Sequence, residues 1–159
     1  MLAWELLDEA KIPESGETPR LKRRGREYSI MLGANELMNS RLSGSEEELA
    51  TLSLDKLVGR PAPRLLVGGL GMGFTLRAAL AAADAGARIA VAELVPAVVA
   101  WARGPMAELH AGSLDDPRVS ILEGDVGAAI RAANAGYDAI LLDVDNGPDG
   151  LSRPGNDTL

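Results

Sequence analysis

The sequence predicts an α/β fold, in which a doubly wound parallel sheet follows a small N-terminal β element. From residue 64 onwards, four short apolar runs without polar alternation are typical of strands that are covered on both faces. Alanine-rich segments of helical character separate these runs, and the first run leads into its helix through a cluster of glycines. A repeated order of strand, helix and strand implies parallel pairing through right-handed crossovers, with ligand loops at the carboxyl ends of the strands.

The elements of this sheet follow from the hydrophobic runs and the breaks between them. The predicted strands are Leu65–Val67, Ile89–Ala92, Val119–Leu122 and Ala139–Leu142. The predicted helices are Thr75–Ala85, Ala97–Ala111 and Val126–Ala133. Because Gly104 and Pro105 interrupt the second helix, we expect a kink or a break at that point.

The N-terminal region is predicted to contain a β hairpin and a helix. The first 20 residues are polar and rich in turn-forming residues, which indicates a loosely held lead-in. Alternating apolar residues in Arg26–Leu32 predict a strand that turns into a short return strand, Glu36–Asn39. Ser45 precedes a run of glutamates and is predicted to cap a helix that ends near Leu57.

Composition limits the classes of protein to which the chain can belong. With 159 residues, of which 47% are hydrophobic, it suits one domain, residues 61–159, preceded by a small extension, residues 1–60. The net charge of −7 argues against an extended nucleic-acid groove, and the basic cluster at residues 20–26 is expected on the solvated face of a strand pair. The absence of cysteine excludes disulfides and thiolate metal sites. Because the sequence shows neither a secretory leader nor an apolar run of membrane-spanning length, we expect no membrane partner and a cytoplasmic location.

The glycines after the first strand carry the most information about function. Gly69, Gly71 and Gly73 form a G-x-G-x-G loop, where the backbone approaches a ligand closely and a helix N-terminus offers N–H groups. Glu93 stands 20 residues beyond Gly73, at the end of the next strand, where a carboxylate accepts hydrogen bonds from both hydroxyls of a ribose. The dinucleotide fingerprint requires a third glycine at position 74, where this chain has Phe74. The pattern therefore favours a nucleoside with a small sulfonium tail over a pyrophosphate.

Acidic residues also follow the third and fourth strands. Since the carboxyl ends of parallel strands meet at one edge of a sheet, these acids are expected beside the glycine loop. Asp125 is placed to accept a hydrogen bond from an adenine amino group, with Val126 packed on the ring. Asp143 follows a run of apolar residues, and a partly desolvated carboxylate there suits a general base. The acidic run that begins at Asp143 does not match a calcium loop, so no metal site is predicted.

Three other conspicuous residues are predicted to be structural. His110 is the only histidine, lies near the end of a predicted helix and is expected at the surface. Trp4 and Trp101 are expected to serve in packing rather than to stack on a ligand.

These residues resemble the spermidine synthase branch of the class I S-adenosylmethionine-dependent methyltransferases, whose sheet is Rossmann-like. The similarity runs from about Arg26 to the C-terminus. Its most specific part is an ordered series of motifs: Asp115-Asp116-Pro117-Arg118-Val119, Glu123-Gly124-Asp125, and Tyr137-Asp138 through Asp143. The resemblance implies that the glycine loop holds the cofactor's tail and that Glu93 holds its ribose. It also implies that Asp125 reaches the adenine and that Asp143 deprotonates the attacking amine.

Several features depart from the family pattern. Aminopropyltransferases carry an aspartate inside the glycine loop, where this chain has Met72, and a tyrosine near the amine site, where it has Ser45. Their Asp-x-x-Asp-Pro motif corresponds here to Asp143-Val-Asp145-Asn-Gly-Pro148, so the cofactor half of the resemblance is the stronger half. Domains of this type usually have seven strands, so the fold is expected to be partial. The fourth strand is then expected at an open edge that a further part of the protein or another subunit covers.

The sequence therefore predicts a transferase that uses S-adenosylmethionine, or its decarboxylated form, to move a methyl or aminopropyl group onto a small-molecule acceptor. A homodimer is expected, and a nucleic-acid partner is not. Two alternatives remain open. One is a non-catalytic nucleoside-binding or dimerisation module with a degenerate active site. The other is an NAD-dependent oxidoreductase, against which Phe74 argues.

Overall fold

The computed structural model describes residues 1–12, 15–41, 43–134 and 136–142. The chain separates into two compact units, Met1–Ser43 and Gly44–Leu159. This boundary lies before the one predicted from the sequence, between residues 60 and 61. The helix that begins at Gly44 belongs to the second unit because it packs against the first helix of the parallel sheet.

The first unit is an antiparallel sheet in which consecutive strands are neighbours. Its strands are β1 (Glu5–Glu9), β2 (Arg20–Arg24), β3 (Glu27–Leu32) and β4 (Asn35–Asn39). The pairing of β3 with β4 confirms the predicted hairpin. The predicted loose lead-in is wrong, because β1 is held to β2 by ladder hydrogen bonds and by an ion pair of 2.9 Å between Glu5 and Arg23.

The basic cluster lies largely on β2, within a strand pair as expected. The guanidinium of Arg24 lies 2.8 Å from the Glu27 carboxylate and 4.6 Å from the centre of the Trp4 ring, which gives Trp4 a packing role. On the opposite face of the same strands, Leu21 and Ile30 form a buried cross-strand pair.

The second unit contains a four-stranded parallel sheet, which confirms the predicted α/β class. Its strands are β5 (Arg64–Gly68), β6 (Arg88–Glu93), β7 (Val119–Glu123) and β8 (Ala139–Leu142). They lie in the order β7-β6-β5-β8. Its helices are α1 (Gly44–Asp55), α2 (Phe74–Ala82), α3 (Pro96–Arg103), α4 (Ala107–His110) and α5 (Val126–Ala132), with a 3₁₀ turn at Ser113–Asp115. The break between α3 and α4 confirms the interruption predicted at Gly104 and Pro105.

The helices cover both faces of the sheet, as its uninterrupted apolar strands require. Successive residues of β5, such as Leu65 and Leu66, point to opposite faces and are both fully buried. The chain reverses its direction across the sheet between β7 and β8, so right-handed crossovers place α5 on the opposite face from α2 and α3. Val126 of α5 packs there against Leu66 and Ala92. The sheet is therefore doubly wound.

The helices themselves correct one prediction. Because α1 begins at Gly44, Ser45 lies inside its first turn, where the hydroxyl donates a hydrogen bond to the Glu46 carboxylate. The predicted cap at Ser45 is wrong. In the ranges that the structure describes, no helix is long and apolar enough to cross a membrane.

β8 forms one edge of the sheet among the described strands, as the winding order predicted. Ile140 and Leu142 alternate with the buried Leu141 and are 40% and 45% exposed. That a further part of the protein or another subunit covers this edge stays a prediction.

Candidate functional site

The glycine loop, residues 69–73, lies beside the carboxyl ends of β6 and β7. The N–H of Gly69 donates to the carbonyl of Ala92 at 2.8 Å, and the N–H of Gly124 donates to the carbonyl of Glu93 at 2.8 Å. Glu93 also lies opposite Glu123 in the parallel register. We call this row of strand ends the rim, and its backbone hydrogen bonds bring the glycine loop, Glu93 and Gly124 together.

The glycine loop follows the strand at which the order of the sheet reverses. β6 and β7 follow one another on one side of β5, and the crossover from β7 then places β8 on the other side of β5. Open α/β sheets bind their ligands in the crevice that this reversal creates at the carboxyl ends of the strands. The glycine loop begins there, directly after β5.

The backbone of the loop explains why its glycines are present. Gly69, Gly71 and Gly73 have φ angles of +93°, +51° and +79°, in the left-handed region that other residues avoid. Leu70 and Met72 alternate with them and are each 4% exposed, so the loop is anchored in the core. Gly73 is the N-cap of α2 and supplies no capping oxygen, which leaves that task to another acceptor.

Glu93 connects the loop to β6. Its Oε2 accepts a hydrogen bond from the N–H of Leu70 at 2.8 Å, and its Oε1 accepts one from the N–H of Val95 at 3.0 Å. The residue is 8% exposed, and this burial raises the pKa of its carboxyl, although the N–H groups of Leu70, Val95, Gly71 and Leu94 oppose the rise. Sequence reasoning expected a ribose ligand here and missed this structural role, because backbone donors leave no pattern in side chains.

Asp125 stands at the next strand end. Its Oδ2 accepts a hydrogen bond from the N–H of Ala128 at 3.1 Å, which caps α5, and lies 3.6 Å from Nη2 of Arg131. The side chain is 38% exposed, and Oδ1 takes part in neither contact. Val126 is 6% exposed and packs in the core against Ala92. The contacts of Asp125 and Val126 with an adenine stay predictions.

Asp143, the predicted general base, lies outside the described residues. The last described residue, Leu142, pairs with Gly68 in the parallel register and therefore lies level with the start of the glycine loop. Within the described ranges, no group of three or more His, Asp or Glu residues is arranged to hold a metal ion.

His110 lies in the interior, which corrects its predicted surface position. The residue is 1% exposed, and a Cβ added to Gly73 would lie 2.5 Å from its Nδ1 and 2.7 Å from its Cε1. Burial, assisted by the nearby charge of Arg77, lowers the pKa of His110 to about 4, so the imidazole is neutral near pH 7. The sequence contains no signal for this position, because a polar residue at a helix end is usually solvated.

We call three residues with buried polar side-chain atoms the buried polar cluster: His110, Arg77, whose charge acts on the His110 ring, and Ser113, three residues after His110 in the chain. In the part of the chain that the structure describes, neither ring nitrogen of His110, nor Nε of Arg77, nor Oγ of Ser113 has a hydrogen-bond partner. Each such group costs about 1–3 kcal/mol, so the surrounding fold must hold the cluster in place. The 3₁₀ turn that carries Ser113 packs against α2, and the Arg77 guanidinium lies 5.0 Å from the centre of the Phe74 ring.

The Asp-Asp-Pro-Arg-Val motif acts at the opposite end of α2. Nη1 of Arg118 donates hydrogen bonds to the carbonyls of Leu80 and Ala83 at 3.1 and 3.0 Å, which stabilises the helix C-terminus. Asp116 accepts hydrogen bonds from Nε and Nη2 of Arg118 at 3.0 and 2.9 Å and holds the guanidinium in place. These bonds lower the pKa of Asp116 to about 2. The motif therefore ties the start of β7 to the end of α2.

The strand order and the glycine loop define a Rossmann-like sheet of the class I methyltransferase type. The chain is 37% identical over 95 residues to polyamine aminopropyltransferase 1 of Streptomyces coelicolor, a match that covers 58% of this chain and 17% of that protein. It is 34% identical over 84 residues to the polyamine aminopropyltransferase of Sulfolobus acidocaldarius, which covers 53% of this chain and 27% of that protein. No family model matches the chain.

Solved structures give the same result for the fold. The spermidine synthase from Thermotoga maritima matches with a TM-score of 0.68 and 18% identity, over 87% of this chain and 47% of that one. A spermidine synthase in complex with the transition-state analogue AdoDATO gives the same values. The resemblance is confirmed: the chain is similar to polyamine aminopropyltransferases in sequence and to spermidine synthases in fold. It spans 17% and 27% of the two curated relatives and 47% of each solved structure.

Proposed function

We propose that this protein binds decarboxylated S-adenosylmethionine at the rim and transfers its aminopropyl group to a small amine. The observation that carries the proposal is the Glu93 carboxylate, which is hydrogen-bonded to the glycine loop at 2.8 Å and borders Gly124 through its own backbone. One buried acid thus lies at the junction of the three segments that surround the nucleoside in our account. The names of the relatives, polyamine aminopropyltransferases, support aminopropyl transfer rather than methyl transfer.

The described residues fit an adenosine. The Glu93 carboxylate accepts hydrogen bonds from the N–H groups of Leu70 and Val95, and the N–H groups of Gly71 and Leu94 also interact with it. The backbone thus fixes an acceptor beside the glycine loop, which a ribose hydroxyl shares in our proposal. The positive φ angles of the glycine loop let the nucleoside's tail approach the backbone. The half-buried Asp125 has Oδ1 available for an adenine amino group.

The donor, when bound, supplies an electrophilic carbon beside a sulfonium. The protein's main task is then to place that carbon against the amine nitrogen, and Asp143 takes the proton that the amine loses. Met72 is buried and apolar where aminopropyltransferases carry an aspartate, so the loop offers no carboxylate to the donor's amino group at that position. We therefore expect a looser choice of donor tail.

Calorimetry tests the proposal most simply. Decarboxylated S-adenosylmethionine, S-adenosylmethionine and 5′-methylthioadenosine are titrated into the protein at pH 7.5, and at least the first and third are expected to bind. Glu93→Ala is expected to weaken binding at least about tenfold, as for a lost hydrogen bond to a charged group. Glu9→Ala is the control, because Glu9 is an exposed glutamate on β1, outside the unit that contains the rim. The absence of heat with all three nucleosides would overturn the proposal.

Turnover separates transfer from binding alone. Formation of 5′-methylthioadenosine from the decarboxylated donor, in the presence of small di- and polyamines, is expected and should be lost in Asp143→Asn. Tight binding without turnover would instead identify a non-catalytic nucleoside-binding module. The expected homodimer and cytoplasmic location remain part of the proposal, and light scattering tests the first of them.

A further inference from the structure

The ring of His110 lies directly against the third glycine of the loop. It occupies the position that a side chain on Gly73 would need, with Nδ1 2.5 Å from the place of a Cβ. Gly73 is also the N-cap of α2, in the left-handed conformation. The ring therefore borders the point where the glycine loop passes into the helix.

The ring is held against Gly73 by packing and not by hydrogen bonds among the described residues. Both ring nitrogens are buried without a partner among the described residues, and burial of unpaired polar groups disfavours folding, so an apolar ring would pack at lower cost. Arg77 on α2 is the charged group that faces the ring, and Ser113 on the 3₁₀ turn adds a neutral hydroxyl to the cluster. A charge on the imidazole would face the Arg77 cation in a buried position, so the ring fits its place in the neutral form.

We propose that His110 is a positioning residue for nucleoside binding: its neutral ring, packed on Gly73, holds the end of the glycine loop and the first turn of α2 in the binding conformation. This inference rests on the proposed function. His110 does not touch the ligand in this account. It acts through Gly73, and its protonation is expected to disturb the loop.

The experiment measures 5′-methylthioadenosine binding by calorimetry from pH 7.5 to pH 4 for the wild type, His110→Phe and His110→Ala. The phenylalanine variant keeps a flat ring on Gly73 and removes the titrating nitrogens. It is expected to bind within about twofold of the wild type at pH 7.5, and to be at least as stable to heat. The alanine variant is expected to bind about tenfold more weakly. This is the loss expected if only about a tenth of the variant molecules have the glycine loop in its binding conformation. Glu93 titrates in all three proteins, so the difference between the wild-type and phenylalanine curves isolates His110.

Each outcome has a definite reading. An alanine variant that binds as tightly as the wild type at pH 7.5 would overturn the inference. A folded phenylalanine variant that binds weakly would also overturn it, because the nitrogens would then matter rather than the ring. If the alanine variant does not fold, the phenylalanine variant still decides: wild-type affinity with a smaller loss at acid pH supports the inference, and parallel pH curves overturn it. A wild type that binds no nucleoside at any pH overturns the proposed function, and this inference with it.

Discussion

Replacement of Gly73 by alanine is expected to destabilise the protein by about 2–5 kcal/mol, through two separable causes. The φ angle of Gly73 is +79°, and a residue with a Cβ pays about 1–2 kcal/mol in that region. The new Cβ would also lie 2.5 Å from Nδ1 of His110, well inside van der Waals contact. Either the ring or the loop must move, and overpacking of this kind costs about 1–3 kcal/mol.

Urea unfolding, followed by the fluorescence of the buried Trp101, measures this cost. Gly112→Ala is the matched control, because Gly112 has a φ angle of +75° and nothing within 4 Å of an added Cβ. In a His110→Ala background the steric cause disappears, so Gly73→Ala should cost about as much as the control. The two sites should therefore be coupled by about 1–3 kcal/mol. An equal cost of Gly73→Ala in both backgrounds would refute the contact between His110 and Gly73.

Three further predictions concern charged groups. Because burial raises the pKa of Glu93, its carboxylate should be protonated at a higher pH than that of an ordinary glutamate, and nucleoside affinity should fall when it is protonated. Calorimetry across pH should show that Glu93→Gln lacks this pH dependence. If the variant had the same pH profile as the wild type, the ionised Glu93 would have no role in binding. Arg118→Met should lower the free energy of unfolding by about 1.5–3 kcal/mol, because it removes charge-assisted bonds to α2. Arg131→Met is the control and should change the free energy of unfolding by less than about 0.5 kcal/mol, since Arg131 is 67% exposed. Similar effects of the two substitutions on urea unfolding would contradict a stabilising link between Arg118 and α2. Asp116 has its pKa lowered from 3.8 to about 2, so its contribution to stability is complete above its ordinary pKa and disappears as the pH falls towards 2. Thermal unfolding of Asp116→Asn, measured across acid pH, should show a smaller loss of stability as the pH falls. The same dependence of stability on pH as in the wild type would refute this role of Asp116.

The parallel sheet was predictable because its strands carry a strong local signal. Each is a short apolar run without polar alternation, and Gly104 and Pro105 mark the break between α3 and α4. β1 was not predictable from Glu5–Glu9, because an edge strand is held by backbone pairing and ion pairs that leave little hydrophobic pattern. The cap at Ser45 was wrong because α1 begins at Gly44, two residues before the helix start that a cap at Ser45 implies.

The sequence indicated which residues belong to the candidate site, but it did not indicate the hydrogen bonds and contacts that join them. Gly69, Gly73 and Glu93 follow from a spacing that the chemistry of a nucleoside requires. The hydrogen bonds of Glu93 to backbone N–H groups depend on how the loop folds, which residue identities do not encode. His110 is buried by the packing of α4 against the loop, a long-range contact that no local pattern reports.

In the proposed site, the glycine loop, Glu93 and the Gly124-Asp125 turn surround one nucleoside. Assigned amide spectra of the protein, recorded with and without 5′-methylthioadenosine, test this arrangement most directly. We expect the largest chemical-shift changes at the glycine loop, at Leu94 and at Gly124, with little change in β1–β4. Saturation of binding with shifts confined to the first unit, or absent from the rim, would contradict the account.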